Sequence, residues 1–151
     1  MIILKELIEE RRLFELAKGI AWEDFKPKCS IKDAIEEEGK GISVLYLADY
    51  QGLYLSISVK DGKVDFFVIR CWSGNTAGIE IFDESIGKHS IDSLDAWLAY
   101  LKKSPQKWFV YSPPTFDKAI YLGIAEKKLE VVFEFDESEG NHYGFQYIDV
   151  K

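Results

Sequence analysis

The chain has 151 residues, 47% of them hydrophobic and 15% aromatic, which suits one domain with a continuous core and excludes a charge-dominated disordered chain. Its formal charge of -7, from 26 acidic and 19 basic residues, argues against a phosphate-backbone ligand and makes a basic protein the natural charged partner. No apolar run approaches the roughly 20 residues that span a bilayer.

The opening MIILKELIEERR has neither a basic leader nor a small-residue cleavage site, so the expected location is the cytoplasm, and membrane association is not expected. Residues 2–18 place Ile3, Leu4, Leu7, Ile8, Phe14 and Ala17 on one side of a 3.6-residue period, which predicts an amphipathic helix ended by Gly19. The next segment, through Pro27, reads as a loop whose Trp22 and Phe25 plug into the core. Ser30 followed by Asp33 resembles a capping box and predicts a second, short helix, IKDAIEEE. In its last turn Glu36, Glu37 and Glu38 would oppose the helix dipole, each at about 0.3 to 1 kcal/mol, unless Lys40 compensates or a cationic partner uses them.

Residues 42–72 read as three consecutive antiparallel strands. The first, from Ile42, is apolar through Val44, Leu45, Tyr46 and Leu47, which predicts burial on both faces. Asp49, Tyr50, Gln51 and Gly52 make a turn. The second alternates Leu53, Leu55, Ile57 and Val59 with Tyr54, Ser56, Ser58 and Lys60, which predicts one core face and one wet face. Asp61-Gly62 supplies the positive φ angles of a tight hairpin, and the third strand runs from Val64 to Trp72. The stretch 73–90 reads as a long loop with one short strand at Ile79 to Phe82. Ile91, Leu94, Trp97, Leu98 and Leu101 form the stripe of a helix over 92–103, capped by Asp92 and closed by Pro105. WFVY at 108–111 predicts a short strand. Residues 119–150 predict a second meander with a wet face that carries Glu130, Glu134 and Asp136. The fold class is therefore α+β: a largely antiparallel sheet built from two β-meanders in a single domain over 1–151, with the N-terminal helices and one central helix packed on one side.

No motif dictates a chemistry. Cys29, Cys71, His89 and His142 are isolated in sequence, so neither a disulfide framework nor a zinc site is expected, and the expected set of catalytic residues, metals and cofactors is empty. Asp61-x-Lys63 and Glu126-x-Lys128 match a nuclease fragment only formally, because both fall in turns.

What remains is a surface of carboxylates beside aromatics, suited to a basic protein: charge speeds encounter and aromatic side chains hold the complex. The candidate contact residues are Glu36, Glu37, Glu38, Asp49, Tyr50, Tyr54, Asp83, Glu84, Glu130, Glu134 and Asp136. Small size, a single domain, acidity and the lack of catalytic residues make the chain similar, as a class, to toxin-neutralising immunity proteins. That resemblance implies a non-catalytic protein that occludes a basic partner, such as a nuclease toxin, stoichiometrically. The alternative is an enzyme or small-ligand-binding domain with a pocket beside the 73–90 loop, lined by Trp72, Asn75 and His89.

Overall fold

A computed structural model describes residues 1–37, 43–70, 78–112, 118–136 and 142–151. In chain order its elements are β1 (Ile2–Ile3), α1 (Leu4–Glu9), β2 (Arg12–Leu13), β3 (Leu16–Ala17), α2 (Trp22–Phe25), a 3-10 turn (Lys26–Lys28), β4 (Ser30–Glu37), β5 (Ser43–Tyr50), β6 (Leu53–Lys60), β7 (Lys63–Arg70), β8 (Glu80–Asp83), β9 (Gly87–Ser90), α3 (Leu94–Lys103), β10 (Trp108–Tyr111), β11 (Ala119–Ile124), β12 (Leu129–Asp136) and β13 (His142–Val150). The molecule is mostly antiparallel sheet with a few short helices, consistent with an α+β fold. Eight strands form one antiparallel sheet in the order β10-β11-β12-β13-β7-β6-β5-β4. A small sheet, β1-β8-β9, contains a parallel pair, Ile2 and Ile3 beside Ile81 and Phe82.

Of the helices expected from the sequence, one is shortened and one is replaced by a strand. The amphipathic pattern over 2–18 becomes helix only at Leu4–Glu9, because Arg11 and Phe14 adopt left-handed φ angles of 51° and 53° and turn the chain into the β2-β3 hairpin. The segment expected as a helix over 31–38 is strand β4, paired antiparallel with β5 from Ser30 opposite Asp49 to Glu37 opposite Ser43. Its charged side chains are tolerated because β4 is an edge strand with Lys32, Asp33, Ala34, Ile35 and Glu36 all exposed. The dipole argument for Glu36, Glu37 and Glu38 falls with the helix, and Glu38 lies outside the described residues.

The hairpins follow their turn chemistry. Gln51-Gly52 and Asp61-Gly62 carry φ angles of 52°, 78°, 52° and 76°, so each joins its strands through left-handed residues. On strand β6 the expected core face holds, with Leu53, Leu55, Ile57 and Val59 buried, but the face expected to be wet is also covered at Ser56 and Ser58. With Ala48, Phe67, Ile69, Leu122, Val131, Phe133, Phe145 and Ile148 they make the inner face of the large sheet, which shares one core with Leu4, Leu7, Trp22, Phe25, Trp97 and Leu101. Trp22 stacks on Tyr46 at 4.4 Å between ring centroids, and Phe25 meets Tyr50 edge-on at 4.9 Å. The aromatics of the expected loop therefore do enter the core.

Helix α3 begins one residue later than its expected cap: the Ser93 hydroxyl accepts from the Ala96 N–H at 3.2 Å. Asp92 is used across space instead, its carboxylate accepting from the Phe145 N–H at 2.6 Å. Trp97 is fully buried, and its indole N–H donates to the Ile91 carbonyl at 2.8 Å. Trp97→Ala is expected to cost about 3 to 5 kcal/mol in a denaturant titration. A loss below 1 kcal/mol would mean that α3 contributes little to the core.

Candidate functional site

The outer face of the large sheet is organised by strand register. Following paired residues from edge to edge gives one continuous row: Tyr111, Tyr121, Val132, Tyr147, Arg70, Tyr54, Asp49 and Ser30. The adjacent row, two residues along each strand except β4, where a bulge makes the step three, runs Phe109, Gly123, Glu130, Asp149, Val68, Ser56, Leu47 and Asp33. Residues two apart on a strand share a face, so these rows form one strip across all eight strands. Ala119, Val68 and Val132 are buried within this face, yet they lie outside the core cluster.

One half of the strip is aromatic and acidic. Phe109 and Tyr111 stack at 5.4 Å, and Tyr111 meets Tyr121 at 5.1 Å. The Tyr111 hydroxyl donates to the Glu130 carboxylate. Desolvation, followed by the neighbouring Tyr121 hydroxyl, raises the Tyr147 phenol well above its ordinary range. Tyr111 is raised for the same leading reason, reinforced by Glu130. Between these residues sits Asp149, with a side chain 23% exposed and one carboxylate oxygen, Oδ1, buried without a hydrogen-bond partner. Desolvation raises its pKa, Lys151 at 3.8 Å opposes the shift, Glu130 adds to it, and Arg70 opposes it more weakly. A cleft of about 260 Å³ opens along the other side of Tyr121 and Tyr147, walled also by Ala119, Val132, Glu134 and Gln146.

A cation already touches the strip. The turn after β11 places Ala125, Glu126 and Lys127 consecutively in left-handed backbone, at φ 51°, 58° and 65°. None is glycine, so the conformation is strained, and such strain persists only where surrounding structure holds it. It carries the Lys127 ammonium to 4.7 Å from the Tyr111 ring and 6.0 Å from the Phe109 ring, within cation–π range. Phe109 in turn reaches over Gly123, where an added Cβ would come within 2.6 Å of the ring.

The strip gathers some of the residues expected from the sequence and scatters others. Tyr54, Asp49 and Glu130 lie in it, and Glu134 lines the adjoining cleft. Asp49 is ion-paired with Lys32 at 3.3 Å. Ser56 and Ser58 do not form a wet face: both are 1% exposed, with Ser56 accepting from Arg70 Nε at 2.8 Å. Tyr50 is a core residue, 2% exposed, whose hydroxyl accepts from the Glu15 N–H, and it offers a partner no surface. Glu36 is exposed on the β4 edge, and Glu37 and Asp136 end β4 and β12. Asp83 and Glu84 belong to the β8-β9 hairpin of the small sheet, away from the strip.

Of the alternative pocket, Trp72 and Asn75 lie outside the described residues. His89 is exposed on β9 with Nε2 at 2.8 Å from the Ile86 carbonyl. Tyr111, Tyr121, Tyr147, Arg70 and Asp149 were not singled out from the sequence, although the alternation of Tyr121 with Leu122 and of Tyr147 with Ile148 carries the signal.

Among the described residues no three His, Cys, Asp or Glu side chains converge to hold a metal ion, and no helix is long and apolar enough to cross a membrane. Comparison with protein-family models, curated proteins and solved structures finds no match.

Among the described residues three tyrosines have raised pKa values: Tyr100, pushed to about 12 mainly by burial, with Tyr111 and Tyr147. Each folded value exceeds the unfolded value of about 10, so their contribution to stability is intact below that pH and is lost as pH climbs through the folded values. A spectrophotometric phenolate titration is expected to show a late-ionising class among the eight tyrosines, absent in denaturant. A single titration near pH 10 in the folded protein would contradict the packing described here.

Proposed function

We propose that this chain is a non-catalytic acidic binding protein, and that the aromatic and acidic half of the strip is its contact surface for a basic protein. In this reading two meanders, 30–70 and 108–150, each contribute half of the sheet, and the helices back it from the inner side. The protein would act in the cytoplasm by stoichiometric occlusion, in the manner of a toxin-neutralising immunity protein. The observation that carries the reading is Asp149: a desolvated carboxylate with an oxygen left unpaired, set among tyrosine rings on a face outside the core.

Tyrosine rings give large contact area at low entropic cost, and a partner arginine or lysine entering the strip would supply the hydrogen bonds that Asp149 lacks. Lys127 over Tyr111 is the internal counterpart of such a contact. The formal charge of -7 would accelerate encounter with a cationic surface, making association sensitive to salt.

Asp149→Asn separates this function from a structural role. Because the folded pKa of Asp149 is raised, the fold is penalised where the carboxylate must be ionised, and the penalty fades as pH falls toward the unfolded value of about 3.9. The variant is expected to melt higher than wild type at neutral pH, with the difference shrinking in acid. It should nonetheless bind the basic partner at least about tenfold more weakly, and Tyr147→Ala should weaken binding by a similar factor. The assay is co-expression with the product of the adjacent gene, followed by titration at two salt concentrations. No one-to-one complex with a basic neighbour, or undiminished binding by both variants, would sink the proposal.

A further inference from the structure

A second candidate site shares no residue with the strip. A cleft of about 400 Å³ opens between α1, the β8-β9 hairpin and α3, within the size range of small-ligand pockets. Tyr100 lines it from α3. Its side chain is buried, at 3% exposure, and its hydroxyl has no hydrogen-bond partner among the described residues. Ser104 is close enough to act on the phenol but completes no hydrogen bond with it, its own oxygen accepting from the Gln106 N–H at 3.2 Å. A buried hydroxyl without a partner is rare in folded proteins and calls for a group to fill the vacancy. Burial, with the nearby carboxylates of Glu9 and Asp83, keeps Tyr100 protonated, so what it lacks is an acceptor.

The charged groups around the cleft divide into committed and free. Asp83 Oδ2 is taken by the Ser85 N–H at 2.9 Å and the Ser85 hydroxyl at 2.5 Å. Lys103 gives one hydrogen to the Ser85 carbonyl at 3.1 Å and keeps two. Lys5 and Glu9 stand four residues apart on α1, a spacing that commonly pairs opposite charges, yet they form no salt bridge with each other or with any described residue. The wall between them is apolar, from Ile3 and Phe82. The cleft therefore presents a buried O–H donor, two ammonium groups, two uncommitted carboxylates, Glu9 on α1 and the exposed Glu84 on the hairpin turn, and an apolar wall.

We propose that this cleft binds a small zwitterion, a free amino acid or dipeptide, whose carboxylate accepts from Tyr100 and a lysine and whose ammonium meets Glu9. The two ends of such a ligand match the two kinds of uncommitted group, and the apolar wall accommodates its side chain. A plain anion would leave Glu9 repulsive, and a plain amine would leave Tyr100 without an acceptor.

The test is a thermal-shift screen of the full chain against the free amino acids and a set of dipeptides, followed by calorimetry on the best hit. Propionate and ethylamine serve as carboxylate-only and amine-only probes. At least one zwitterion should stabilise the wild type, and neither half-probe should do so at equal concentration. Tyr100→Phe removes only the hydroxyl, so without ligand it should melt at or above the wild-type temperature while binding the hit at least tenfold more weakly. Glu9→Gln should weaken binding of the zwitterion by a similar factor.

The proposal is overturned if no zwitterion shifts the melt, if propionate or ethylamine alone matches the best zwitterion, or if Tyr100→Phe binds as wild type does. A drop in the ligand-free melting temperature of Tyr100→Phe also overturns it, because the hydroxyl would then be satisfied within the protein itself.

Discussion

The antiparallel pairing of β13 with β7 is the contact on which the rest of the structure depends. Among the described residues it joins strands 30–70 to strands 108–150 through Tyr147 to Val150 opposite Arg70 to Phe67, and it sets the inner and outer faces of all eight strands at once. Side chains alternate along a strand, so a slip of one residue here would turn Ile148 and Val150 outward and bring Tyr147 and Asp149 into the core. The core forbids that slip, because Ile148 is fully buried and Val150 is 2% exposed beside Phe67 and Ile69. The outer row is thus a by-product of inner packing: hydrophobic burial fixes the register, and the register aligns the tyrosines.

That arrangement explains how an acidic group comes to sit in so unfavourable a place. Asp149 cannot relocate without moving Ile148 and Val150, and Lys151 reaches it only at 3.8 Å while also serving Glu130 at 3.5 Å. Surface pairs of this kind contribute little, so the pair does not offset the desolvation of the carboxylate. In the proposed reading, the local cost at Asp149 is offset by an external contact, since proteins tolerate local cost mainly where function uses it.

The sequence made the local features legible and left the non-local ones hidden. Asp61-Gly62 announces a hairpin because few residues accept its backbone, and strand β6 announces its faces because its inner positions are all branched aliphatics. Residues 30–37 mislead because Ile31, Ala34 and Ile35 fit a helical period, and Lys, Ala and Glu favour helix intrinsically. The hydrogen bonds offered by β5 override both signals, as tertiary context does with local propensity. The helix read over 2–18 fails at Arg11 and Phe14, whose left-handed conformations no residue type there foretells. Tyr54, Glu130 and Glu134 were legible as outward residues of their own strands. That Tyr54 and Tyr147 flank Arg70 in one row depends on pairing between segments far apart in the chain, which no local pattern contains.

The two edges of the sheet differ in a way that bears on how the strip is used. The β4 edge is guarded by Lys32, Asp33 and Glu36, charges that discourage another strand from pairing. The β10 edge carries Phe109 and Val110, 42% and 50% exposed, and is only four residues long. A short edge limits strand addition, so the exposed rings there act through their faces rather than through the backbone. Phe109 reaches over Gly123, which leaves room for its ring, and Tyr111 is held by its bond to Glu130. The aromatic end of the strip is therefore held in place by its own contacts, which in the proposed reading would lower the entropic cost of binding.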